Sequence, residues 1–104
     1  MKRIAFKMQL KPGCADEYKK RHDALWPELR QLLKDSGIHH YGIYLDEQSH
    51  SLFAALEIED ESRYAALPEH PLMQQWWAYM ADIMDTHPDH SPISIPLKEM
   101  FYLE

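Results

Sequence analysis

The strongest constraint on how this chain can fold is the order in which two hydrophobic periods replace each other along it. Residues 3–10 alternate, with Ile4, Phe6, Met8 and Leu10 on one side and Ala5, Lys7 and Gln9 on the other. That is a strand with one buried face, and Lys11-Pro12-Gly13 ends it. Residues 14–36 switch to helical spacing: Tyr18, His22, Leu25, Leu29, Leu32 and Leu33 share a face. Gly37 then suits a C-terminal cap. Alternation returns over 38–46, with Tyr41, Ile43 and Leu45 on one side and His40, Gly42 and Tyr44 on the other. Asp46-Glu47-Gln48-Ser49 reads as a turn. A third alternating run over 52–58 puts Leu52, Ala54, Leu56 and Ile58 together and completes a hairpin. A short helix follows and should stop before Pro68. His70-Pro71 opens another, with an apolar face through Leu72, Met73, Trp76, Trp77, Met80, Ile83 and Met84. The proline-bearing stretch 85–96 is expected as a loop and 97–103 as a last strand.

The resulting order, β-α-β-β-α-β, predicts an α+β chain of the ferredoxin-like arrangement, one antiparallel sheet with helices on one face. A length of 104 residues suits a single domain, 1–104. The one cysteine, Cys14, allows no intramolecular disulfide, and a chain this small has little left to cover the second sheet face. Two copies covering each other's faces, a homodimer, is the expected remedy. Pro27 falls inside the long helical pattern. It cannot donate to the carbonyl of Asp23, so it should kink or interrupt the helix and push Trp26 out of the helical region.

Composition removes several function classes. Eleven Lys and Arg against seventeen Asp and Glu leave a formal charge of −6, where a nucleic-acid binder carries a basic stripe. No apolar run reaches the ~7–15 residues of a secretory signal or the ~20 of a membrane span. The expected partners exclude nucleic acid and membrane, and the expected location is the cytoplasm. An aromatic share of 12% argues against disorder.

Few residues invite chemistry. A histidine on an apolar helix face is most often a satisfied core residue, but His22 has Tyr18 four positions before it, so both polar tips emerge on one side. Histidine is also the side chain that exchanges a proton near neutral pH. Trp76 and Trp77 point about 100° apart on a helix, so one can anchor the core while the other needs a different surface. Indole faces stack on the C–H face of a pyranose, though core packing is the commoner use. Tyr41 should point into the layer between sheet and helices, where His22 also points. Asp85, His87, Asp89 and His90 match no standard metal spacing and read as a solvated loop; His39-His40 is equally unspecific. Three isolated glycines make no phosphate loop, and Cys14 reads as an idle thiol.

Several segments together resemble the L-rhamnose mutarotase family from end to end. They are Glu17-Tyr18-Lys19-Lys20-Arg21-His22, Leu25-Trp26-Pro27-Glu28-Leu29, Tyr41-Gly42-Ile43-Tyr44-Leu45-Asp46, Gln75-Trp76-Trp77-Ala78-Tyr79-Met80, and Ser91-Pro92 leading to Phe101-Tyr102-Leu103. The resemblance implies a dimeric α/β barrel of ferredoxin-like subunits and a sugar epimerase that needs no cofactor and no metal. It implies that His22 is the proton donor and that Tyr18, Tyr41, Trp76 and Trp77 bind the sugar, L-rhamnose or a related 6-deoxy hexose. The base that takes the second proton stays open between Tyr18, Tyr41 and a water. Two other classes stand beside this reading: a cofactor-free monooxygenase on a dimeric α/β barrel, and a sugar binder without catalysis.

Overall fold

The computed structural model describes residues 1–104. Four strands, β1 (Lys2–Gln9), β2 (Ile38–Asp46), β3 (Ser51–Ile58) and β4 (Ile95–Pro96), form one antiparallel sheet in the order β2-β3-β1-β4. The helices are α1 (Ala15–Asp23), α2 (Pro27–Asp35), α3 (Glu61–Ala66), continued by a 3-10 turn at Leu67–Glu69, and α4 (Pro71–Met80). This order is the ferredoxin-like topology expected from the periodicities. The main core is a single apolar layer. Met8, Leu52 and Ala54 from the sheet pack with Tyr18, Leu29, Trp76 and Met80 from the helices. A second cluster under α3 gathers Ile38, Leu56, Ile58 and Leu67.

The long helical pattern of 14–36 becomes two helices. Ala24, Leu25 and Trp26 leave the helical path, and Pro27 begins α2, where its missing N–H costs nothing. Trp26 is extended, with φ −56° and ψ 129°, as a residue before proline should be. Gly37 ends α2 with φ +82°. Its neighbour Arg63 donates from Nη1 to the carbonyl of Asp35 at 2.9 Å, satisfying one of the helix's last carbonyls.

Three other expectations shift. The apolar face of α4 was extended through Ile83 and Met84, but the helix stops at Met80; both residues are buried in the following turn, and Met84 bridges to Leu10. The last strand is not 97–103. It is Ile95–Pro96, paired to Phe6 and Lys7 and continued by one bond from the N–H of Leu97 to the carbonyl of Ala5. Pro96 read as a breaker, yet on an edge strand no neighbour asks for its N–H. The remaining tail lies across the start of β1, where Arg3 pairs with Glu99 at 2.6 Å and sits 3.5 Å above the ring of Tyr102. Finally, β2 contains a bulge. Its register shifts between His39 and Gly42, so His40 and Tyr41 together oppose Leu56. His40 takes φ +51° to make it. Without that extra residue Ile38 and Ile43, five positions apart, could not both face the helices.

Candidate active site

Between the helical layer and the sheet lies an open cleft of about 1620 Å³. Tyr18, His22, Tyr41, Trp76 and Trp77, the five residues singled out in the sequence, all line it.

Helix α1 sets the first two. One helical turn apart, the rings of Tyr18 and His22 stack with centroids 4.3 Å apart and planes at 27°. The Nδ1 of His22 lies 3.0 Å from the carbonyl oxygen of Tyr18. A carbonyl only accepts, so Nδ1 carries the hydrogen and donates it. Nε2 then holds the lone pair of the neutral ring, and it has no hydrogen-bond partner within the chain. Burial holds the imidazole below its ordinary value of 6.5; the Tyr18 carbonyl and the Asp23 carboxylate oppose that shift without cancelling it. At neutral pH the ring is therefore the uncharged form.

Helix α4 supplies the two tryptophans. Pro71 starts it, and the ring of His70 caps it by accepting from the N–H of Leu72 at 3.1 Å. Trp76 is only 5% exposed. It meets His22 edge-on, with centroids 5.3 Å apart at 89°. Trp77, about 100° around the helix, stays half-buried at the cleft wall. The division of labour expected of adjacent helical tryptophans is thus observed: one is packed in the core beside the histidine and one faces open space.

The bulge aims Tyr41. The residue as a whole is 41% exposed, yet protein surrounds the hydroxyl within the cleft, and burial pushes the phenol well above its usual range. Tyr18 is pushed up in the same way, with a further contribution from Tyr41 nearby. Both phenols keep their protons through the neutral range and so are able to donate hydrogen bonds.

Two features escaped the sequence pattern. Tyr64 of α3 lines the cleft and adds to the upward shift of Tyr41; no spacing pointed to it. Tyr79 packs on both Trp26 and Trp76, at 5.7 Å and 5.6 Å, and its position three residues after Trp76 was a legible signal. The loop carrying His87, Asp89 and Ser91 does reach the rim of the cleft, although His87 and Asp89 are exposed as a solvated loop should be. No group of three or more His, Cys, Asp or Glu side chains converges as a metal site.

Fold and site together define a class: a small ferredoxin-like chain with an open, largely apolar cleft in which two tryptophans and two tyrosines gather around an uncharged histidine. The family model described as L-rhamnose mutarotase matches residues 3–103. The chain is 53% identical over 103 residues to an L-rhamnose mutarotase of Sinorhizobium fredii, with 99% of each chain covered. A crystal structure of an L-rhamnose mutarotase from Formosa agariphila superposes with a TM-score of 0.93 at 48% identity, covering 100% of both chains. A dimeric ferredoxin-like protein from an uncultured marine organism shares the fold at a TM-score of 0.58 and 13% identity, covering 97% of this chain and 96% of its own. The chain belongs to the L-rhamnose mutarotase family.

Proposed function

We propose that this protein is an isomerase that interconverts the α and β anomers of L-rhamnose in the aromatic cleft, with His22 moving the proton. The observation that carries the reading is the His22 ring itself: Nδ1–H tied to the Tyr18 carbonyl, Nε2 unpartnered, and the ring uncharged among apolar neighbours. Mutarotation breaks the C1–O5 bond, lets C1–C2 rotate, and closes the ring on the other face. Nε2 takes the proton of the anomeric hydroxyl, and the electron pair left on O1 forms the C1=O double bond. O5 leaves with the C1–O5 pair and receives the proton back from the imidazolium. Closure runs the same steps in reverse on the opposite face, and the enzyme ends as it began. O1 and O5 share one carbon, so a single ring nitrogen serves both.

Tyr18 and Tyr41 hold their protons too firmly to be the base, so they donate hydrogen bonds to sugar oxygens instead. Trp77 offers indole surface to the apolar side of a 6-deoxy sugar, and the nearly buried Trp76 contributes only the small part of its ring that reaches the cleft beside His22. A positioned acid–base group contributes about 10²–10⁴-fold, enough for a reaction that already runs in water. No step here calls on a cofactor.

Saturation transfer between the α and β anomeric signals of equilibrated L-rhamnose tests this directly. Exchange should accelerate with the protein and fall back about 10²-fold or more in His22→Ala. Acceleration that survives His22→Ala would overturn the assignment of the proton to His22. Binding without acceleration would favour a sugar-binding role, and oxygen uptake with a phenolic substrate the monooxygenase class.

The assembly belongs to the same proposal. The tail leaves Met100, Phe101 and Leu103 85%, 80% and 81% exposed, and the open face of the sheet carries Tyr44 opposite Phe53. Grouped apolar side chains of this size favour an interface. A second copy packed on this face would bury them and close two single-domain subunits into a dimeric α/β barrel. The one unpaired thiol, Cys14, suits a reducing compartment such as the cytoplasm. No helix is long and apolar enough to cross a membrane.

A further inference from the structure

Trp26 does not line the cleft, yet its indole braces the wall beside the histidine. It is the last residue of the break between α1 and α2, and Pro27 restricts its backbone. Its ring meets Trp76 edge-on at 5.0 Å and 88°. Its other neighbour is Tyr79, stacked at 5.7 Å and 29°. Tyr79 is held from outside by the Arg21 guanidinium, 4.4 Å from its ring centre. Arg21 in turn is fastened to Glu17 at 2.7 Å, to Asp82 at 2.8 Å and to the Tyr79 carbonyl at 2.7 Å. A continuous line of rings therefore runs from a fixed ionic cluster inward: Tyr79, Trp26, Trp76, His22.

We propose that Trp26 is a positioning residue for mutarotation, fixing through Trp76 the plane of the His22 ring and hence the direction of Nε2. The proposal rests on the role given to His22 above. The His22 ring has one hydrogen bond, at Nδ1, which acts as a hinge. What stops it swinging is the Tyr18 ring stacked on it and the Trp76 ring set perpendicular to it. Trp76 can provide that stop only while something backs it. Tyr79 also touches Trp76, at 5.6 Å and tilted by 59°, so removing the Trp26 indole takes away the perpendicular contact, leaves a void beside Tyr79 and lets Trp76 tilt into it.

The charged and titratable groups around His22 make the test specific. Tyr18 and Asp23 face it from its own helix, α4 presents only the uncharged Trp76, and Arg21 is turned away to Asp82. Replacing Trp26 changes no charge near the imidazole, so any change in His22 titration reports a change in packing or hydration.

The experiment compares the full chain with Trp26→Ala, Trp26→Leu and Trp26→Phe, each assayed well below its unfolding temperature. L-rhamnose anomer exchange gives kcat and KM, and NMR follows the His22 imidazole through its titration. Trp26→Ala should lower kcat about tenfold, well within the ~100-fold that a 1 Å misplacement can cost. The loss in kcat should exceed the change in KM. The His22 midpoint should rise toward 6.5 as the ring gains water. Trp26→Phe should recover most of both effects, because it keeps an aromatic edge. An unchanged kcat and midpoint in Trp26→Ala, with only a lower unfolding temperature, would show a purely structural role. Should Trp26→Ala not fold, equal behaviour of Trp26→Leu and Trp26→Phe overturns the proposal and a clear advantage of Trp26→Phe supports it. If instead His22→Ala retains full exchange, the role of His22 itself has failed, while the midpoint shift still reports the ring contact.

Discussion

Replacing Gly37 by alanine should be the most costly of the chain's three glycine-to-alanine changes, and the structure supplies its parts. Gly37 sits at φ +82°, where an L side chain is strained by about 1–2 kcal/mol. The new Cβ would lie 2.9 Å from Arg63 Nη2 and 3.1 Å from Glu59 Cβ. Arg63 must give way, and with it goes its bond to the Asp35 carbonyl, worth about 0.5–1.5 kcal/mol. Its pair with Glu59 is exposed and adds little. The total is about 2–3 kcal/mol, or roughly 10–20 °C of Tm for a domain of this size. Gly13 is the control: its φ of +80° is as strained, but no atom lies within 4 Å of a Cβ there. Gly13→Ala should therefore show the strain alone. Urea unfolding of both variants at one protein concentration, with m unchanged, gives the two values. In an Arg63→Ala background the extra cost of Gly37→Ala should shrink, though only in part, because Glu59 Cβ remains. Equal destabilisation by Gly37→Ala and Gly13→Ala would refute the reasoning.

Three further outcomes follow from the same contacts. With neutral His22 as the resting form, kcat/KM for anomer exchange should rise with pH through a midpoint below 6.5 and level off by neutrality; a kcat/KM that falls over that range would mean the imidazolium is the resting reactant. Because burial lowers the folded value of His22, its contribution to stability should be full above 6.5 and lost as pH falls through the folded value; His22→Phe should flatten that part of a Tm-versus-pH curve. Phe101→Asp places a charge in the exposed tail, so sedimentation should show monomers where the unaltered chain forms dimers, and a chain monomeric in both forms would remove the proposed interface.

Much of the fold was legible because its determinants are local. The alternation of Ile4, Phe6 and Met8 and of Leu52, Ala54, Leu56 and Ile58 fixes two strands and their buried face, whatever else the chain does. Pro27 and Gly37 mark the ends of α2 through backbone sterics that need no neighbour. Tyr18 and His22 were paired by helical spacing alone, and Trp76 and Trp77 were separated by it.

The tertiary structure decided what depends on partners distant in sequence. Pro96 became part of a strand only because β1 offers an edge that does not use its N–H. The bulge at His40 and Tyr41 exists because Ile38 and Ile43 must both reach the core under α2 and α3, a demand set by the packed layer and not by the segment. The path from Tyr79 through Trp26 and Trp76 to His22 joins a helix break to another helix some fifty residues on, and only packing could bring those rings within contact. The sequence by itself determined which residues could exchange a proton or stack on a sugar. The fold determined that one imidazole nitrogen is left without a partner, and that its ring is uncharged, because those depend on what surrounds it.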